Sequence, residues 1–132
     1  MLARENESVI DVLEEEGVGG IAFSPLAQGI LTGKYLKGIP DDSRAVRDGR
    51  FLNPQSLAAI NVKQLELLST FAQNRGQSLT HLALAWALRR PGMTSLIVGA
   101  SSLEQLSDNV AALKNLDFGN DELERIEQIL AL

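Results

Sequence analysis

Ser95-Leu96-Ile97-Val98-Gly99-Ala100-Ser101-Ser102-Leu103-Glu104-Gln105 passes from a short apolar, partly β-branched run through glycine and serine into a helix start. Residues 95–100 read as a buried strand closed by Gly99 and Ala100. Leu103, Leu106, Val110 and Leu113 then recur at helical spacing, which predicts a helix over 102–114 with one apolar face. Ser101 or Ser102 caps it, with Glu104 or Gln105 three residues later to complete a capping box. A strand that runs directly into a helix is the joint of a parallel sheet covered by helices. The N–H groups and the positive dipole end of such a helix face the strand's C-terminal edge, where a phosphate is stabilised. The same spacing also serves an ordinary structural turn.

Upstream, Val9, Ile10, Val12 and Leu13 share one side of a short acidic helix over 7–16, stopped by Gly17, Gly19 and Gly20. Its Glu14-Glu15-Glu16 run reads as a solvated face. Ile21-Ala22-Phe23 is a second short strand, ended by Ser24-Pro25. Residues 26–54, punctuated by Gly29, Gly33, Gly38, Pro40, Gly49 and Pro54, form a long irregular stretch. Loops of that length in compact domains carry function or lack order. A helix is expected over 55–74, where Val62, Leu65, Leu68 and Phe71/Ala72 recur at spacings of three and four, and it stops at Gly76. Ser78 caps a helix over 79–89 that is apolar nearly all round and so should be buried on most faces, with Trp86 in the core. Pro91-Gly92 breaks it, and a last helix over 121–131 buries Leu123, Ile126, Ile129 and Leu130. Two strands are too few for a self-contained parallel sheet, whose strands need neighbours and helical cover. A (β/α)8 barrel takes about 250 residues, so these 132 read as a slice of a larger α/β protein.

Composition narrows the function classes. With 45% hydrophobic and 22% charged residues the chain is globular in type. Twelve Lys+Arg against 17 Asp+Glu, a net charge of −5, argue against nonspecific nucleic-acid binding. No apolar run approaches the ~20 residues of a membrane-spanning helix, and residues 1–7 lack a signal-peptide pattern. The expected compartment is therefore the cytoplasm. Zero cysteines remove disulfides, thiolate catalysis and Cys-based zinc sites, and the lone His81 removes a His-rich metal site. There is no G-x-G-x-x-G and no Walker A run. Lys34, Lys37, Arg44, Arg47 and Arg50, however, gather in one stretch with only Asp41, Asp42 and Asp48. That stretch is either a solvated loop or a local attractor for an anionic small molecule.

Phe23-Ser24-Pro25-Leu26-Ala27-Gln28-Gly29-Ile30-Leu31-Thr32-Gly33-Lys34-Tyr35 also leaves the C-terminal end of a strand, where α/β barrels place their active sites. Two runs stand out in order: Ser-Pro-Leu-Ala-x-Gly-x-Leu-Thr-Gly-Lys-Tyr at 24–35 and Gly-Ala-Ser-x-x-x-Gln-x-x-x-Asn at 99–109. On these the chain resembles the C-terminal half of aldo-keto reductases, in the branch of voltage-gated potassium channel β subunits and bacterial glyceraldehyde-3-phosphate reductases. The resemblance covers essentially all of residues 1–132. It implies one partial TIM-barrel domain, an α/β fold holding about the last two to three β/α units of a (β/α)8 barrel, incomplete in this chain.

The resemblance further implies an NADPH site. The turn after the seventh barrel strand, matching Phe23, Ser24, Pro25, Leu26, Ala27 and Gln28, wraps the pyrophosphate. Lys34 and Arg44 match the cations that hold the cofactor down. Gly99, Ser101, Gln105, Asp108 and Asn109 match the turn and helix that hold the adenosine end. Asp108 stands where the channel β subunits carry Glu. The family's Asp, Tyr, Lys and His tetrad belongs to the first half of the barrel, so no catalytic residue is assigned. Tyr35, Lys34 and His81 do not fill that role, since His81 opens a buried helix as a packed or half-exposed side chain. The implied function is the cofactor-binding portion of an NADPH-dependent reductase of aldehydes and ketones, inactive as this chain alone. The alternative is a non-catalytic interaction module, a half-barrel that assembles with itself or with a separate N-terminal half. A small carbonyl substrate, with no nucleic acid and no membrane, completes the expected partners.

Overall fold

A computed structural model of the chain describes residues 7–34, 36 and 61–132. Helix α1 (Glu7–Glu15) leads into strand β1 (Gly20–Phe23) and a 3-10 helix (Ala27–Thr32). Helices α2 (Val62–Asn74) and α3 (Leu79–Leu88) precede strand β2 (Met93–Ile97). Helix α4 (Leu103–Ala111) then tightens into a 3-10 turn (Ala112–Lys114), and α5 (Asn120–Leu130) ends the chain. The two strands pair in parallel, with Ile21 opposite Ser95, Ala22 opposite Leu96 and Phe23 opposite Ile97.

Helix α3 owes its central place to its sequence. Leu79, Leu82, Leu84, Ala85 and Trp86 are all buried, and the helix touches β2, α2, α4 and both 3-10 segments. Around it pack Leu65, Leu68 and Ala72 of α2, Ile126 and Ile129 of α5, and Leu31. Burial of one Leu-sized side chain contributes about 1.5–3 kcal/mol, so this cluster carries much of the fold's hydrophobic stabilisation. Side chains chosen for their capping chemistry start the helices: Asn61, Ser78 and Ser102 accept the N–H of Gln64, His81 and Gln105 respectively. Gly17 and Gly76, both at positive φ, end α1 and α2 with the paired backward bonds of a Schellman turn.

Several expectations are corrected. The strand expected at 95–100 runs instead from Met93 to Ile97. Its partner fixes both ends: Ser24 swings to φ 52, so β1 stops at Phe23 and nothing is left to pair with Val98. The helix expected from residue 55 starts at Val62, because Asn61 is extended and caps it, while 55–60 lie outside the described residues. The irregular stretch from 26 contains 3-10 turns through Thr32, and residue 35 and residues 37–60 lie outside the described residues.

The helix expected after β2 forms, and its apolar face is left open. Leu103 is 80% exposed, and Leu106, Val110 and Leu113 also face solvent. Ile21, Phe23 and Ile97 form a second open apolar surface on one side of the strand pair, while Ala22 and Leu96 alternate to the helical side, half-buried. Val9 and Val12 of α1 are exposed as well, although Ile10 is buried. Among the described residues, nothing covers these apolar positions. Among the described residues, no helix is long and apolar enough to cross a membrane.

Glu14 is not a freely solvated carboxylate, unlike exposed Glu15 and Glu16. It accepts Arg90 Nε at 3.0 Å and Nη2 at 2.8 Å, and also the Gly92 N–H at 3.1 Å. Asp11 joins through Arg90 Nη2 at 2.7 Å, so α1 is tied to the turn before β2. The Arg90 and Gly92 bonds hold the Glu14 pKa below its ordinary 4.5. A depressed carboxylate stabilises the fold above its unfolded pKa, and that contribution is lost as pH falls through the folded value. Urea midpoints should therefore drop as pH is taken below 4.5, and less steeply in Glu14→Gln. Equal slopes in both proteins would contradict this.

Candidate functional site

Because β1 and β2 are parallel and end together at Phe23 and Ile97, the turns that follow them open at one edge of the sheet. Residues 24–28 leave from one strand and residues 98–102 from the other. Sequence reasoning brought these two segments together, and the strand pairing places them side by side.

The first turn is held in a costly conformation. Ser24, Ala27 and Gln28 have φ values of 52°, 47° and 57°, all left-handed without being glycine. Each such residue costs on the order of 1 kcal/mol. Packing from below maintains them: Leu31 is buried in the core, and Leu26, Ala27 and Ile30 pack against the same cluster. Ala27 N–H donates to the Ser24 carbonyl at 2.9 Å and Gly29 N–H to the Leu26 carbonyl at 3.0 Å. Phe23, Ser24 and Gln28 stay exposed, while Pro25 is half-buried. No sequence signal announced the left-handed residues; Gly29 and Gly33 marked only that a turn was near. Lys34 follows at the end of the 3-10 helix, its side chain exposed. Arg44 lies outside the described residues.

The second turn is built by the capping groups. Ser102 Oγ accepts the Gln105 N–H at 3.1 Å, and Gln105 Oε1 reaches back to Ser101 N–H at 2.7 Å and to Ser101 Oγ at 3.1 Å. The alternatives thus resolve to Ser102 as N-cap and Gln105 as the returning side chain. The N–H groups of Leu103 and Glu104, in the first turn, have no intrahelical acceptor. Gly99 is exposed, and a Cβ there would meet open space.

Further along α4, Asp108 and Asn109 differ in surroundings. Asp108 Oδ1 lies 3.0 Å from His81 Nε2, and the Asp108 carbonyl 2.9 Å from the same nitrogen. This partnership was absent from the sequence reading, which placed His81 correctly as a part-buried side chain and gave it no contact. Asn109 is buried, and its Nδ2 has no hydrogen-bond partner among the described residues. An unsatisfied buried amide costs about 1–3 kcal/mol, a cost a ligand acceptor would offset. An exposed turn of left-handed backbone, a helix N-terminus, open space at Gly99 and a donor without an acceptor together suit a phosphate-bearing nucleotide.

The chain belongs to the Aldo/keto reductase family, whose profile matches residues 1–131. This is a family of NAD(P)H-dependent oxidoreductases. Over 130 residues the chain is 51% identical to the L-glyceraldehyde 3-phosphate reductase of Escherichia coli O157:H7, covering 96% of this chain. The L-glyceraldehyde 3-phosphate reductase of Escherichia coli strain K12 is 50% identical over the same length and share. The chain spans 38% of the length of each of these relatives. Helices packed on a parallel strand pair, whose outer edges are unpaired among the described residues, agree with part of an α/β barrel.

Proposed function

We propose that this chain is the NADPH-holding portion of a reductase acting on aldehydes or ketones, formed by the last β/α units of its barrel. The observation that carries the reading is the left-handed turn at Ser24, Ala27 and Gln28 beside the start of α4. Strain of this kind survives where a site needs the backbone displayed. Residues 23–28 would wrap the pyrophosphate, with Lys34 and Arg44 supplying positive charge. Gly99, Ser101 and Gln105 would border the adenosine phosphate, and Asp108 and Asn109 the base or ribose. When bound, NADPH supplies a hydride to the carbonyl carbon. The chain's own residues hold and orient the cofactor, and none of them is assigned as the acid that protonates the carbonyl oxygen. The likeness to L-glyceraldehyde 3-phosphate reductases supports a phosphorylated aldehyde as substrate of the complete protein.

The test is an NADPH titration followed by cofactor fluorescence. Saturable binding is expected, weakened about tenfold by Arg44→Ala and by Gln105→Ala, a loss of roughly 1.4 kcal/mol each. No binding at millimolar cofactor would refute the reading. Carbonyl-dependent NADPH oxidation by this chain alone should not exceed a no-protein control.

A second reading is favoured by the exposed Leu103, Leu106, Val110 and Leu113 together with Ile21, Phe23 and Ile97. Apolar faces and strand edges of this extent recruit other chains. The chain would then act as an assembly module, joining a second copy or a separate N-terminal half. Light scattering after size exclusion decides, since a clean monomer argues against obligatory assembly.

A further inference from the structure

We infer that His81 is a positioning residue for the adenosine end of the site, acting through Asp108; the assignment rests on the NADPH-holding role proposed above. His81 is the one ionisable side chain of α3, whose other residues are apolar apart from Thr80. Its side chain is 18% exposed, and Nε2 meets both the carbonyl and a carboxylate oxygen of Asp108. A carbonyl oxygen only accepts, so Nε2 carries the proton and donates to both.

Local geometry explains why that carbonyl is available. At the end of α4 the Ala112 N–H turns to the Asn109 and Val110 carbonyls, and the Asp108 carbonyl falls in the last turn, where acceptors go short of helical donors. His81 reaches that carbonyl from a neighbouring helix and grips the same residue's side chain. Backbone and carboxylate of Asp108 are therefore fixed by one ring. The carboxylate is still 55% exposed, so lone pairs remain for donors such as a ribose hydroxyl or an adenine amine. Asn109, with its buried and unpartnered Nδ2, leaves the helix on the same turn. A ring that served only as a helix cap would affect stability and leave ligand affinity of the folded protein unchanged.

The experiment titrates NADPH and 2′,5′-ADP into the parent chain, His81→Phe, His81→Gln, Asp108→Ala and the His81→Phe, Asp108→Ala double variant, with a thermal melt of each. His81→Phe keeps the ring bulk without the donor and should weaken both ligands about tenfold. His81→Gln restores a donor and should bind within about threefold of the parent. In the Asp108→Ala background, the His81→Phe change should alter affinity by less than about twofold, because its route is gone. Unchanged affinity in His81→Phe, or an equal loss in both backgrounds, overturns the inference while leaving the cofactor role standing. If the parent binds neither ligand, the cofactor role falls and this inference with it. Should His81→Phe fail to fold, His81→Ala takes its place in the same cycle.

Discussion

Arg75→Ala should lower the stability of the folded chain by about 3 kcal/mol, read as a shift in urea midpoint. Arg75 closes α2, and its side chain is only 6% exposed. The guanidinium donates to Gln77 Oε1 at 2.9 Å, Asn115 Oδ1 at 3.2 Å and the Asp117 carbonyl at 2.8 Å. It also pairs with Glu122 on α5 and lies 4.1 Å from the centre of the Phe118 ring. One side chain thereby joins the end of α2, the segment after α4 and the first turn of α5. Its removal strands several acceptors at once, which is the circumstance that makes truncation of a paired charge expensive. Arg75→Lys keeps the charge but loses the planar fork, so more than half of the loss should persist. A shift below about 1 kcal/mol in Arg75→Ala would mean that water replaces these contacts freely.

The same cluster has a pH signature. Glu122 accepts the Gly119 N–H at 2.9 Å, and that bond, followed by the Arg75 contact, lowers its pKa from 4.5. Its stabilising share is present above that value and is lost as pH falls through the lowered one. Part of the acid sensitivity of the parent should therefore disappear in Arg75→Ala.

What could be read in the sequence follows physical range. Local chemistry was legible: Ser78 and the Ser101/Ser102 pair announced caps, Gly17 and Gly76 announced stops, and the apolar run of α3 announced burial. Ser95 through Gln105 gave the strand-to-helix joint, but not the strand's limits, because those depend on where the distant Ser24 turns away. Glu14 read as a solvated charge and Arg75 drew no reading, since nothing local reveals a partner tens of residues off. The contact between His81 and Asp108 was hidden for the same reason. The left-handed residues of the first turn were illegible on different grounds. Ser, Ala and Gln carry no preference for that region, and the packing of Leu26 and Leu31 imposes it.

Leu68→Ala and Leu103→Asn should differ sharply in this chain, although both replace leucines placed on apolar helix faces. Leu68 is 2% exposed at the heart of the cluster joining α2, α3 and α5. Its truncation removes buried methyl groups and leaves a cavity, for an expected loss of about 3–4 kcal/mol in urea unfolding. Leu103, at 80% exposure, touches little, so Leu103→Asn should change the chain's own stability by no more than about 0.5 kcal/mol. Its effect should appear elsewhere. If the α4 face is covered by another copy or by an N-terminal half, Leu103→Asn weakens that association in light scattering while the monomer's urea curve stays put. Comparable stability losses from both substitutions would show that the α4 face is already buried in this chain, and the assembly reading would lose its support.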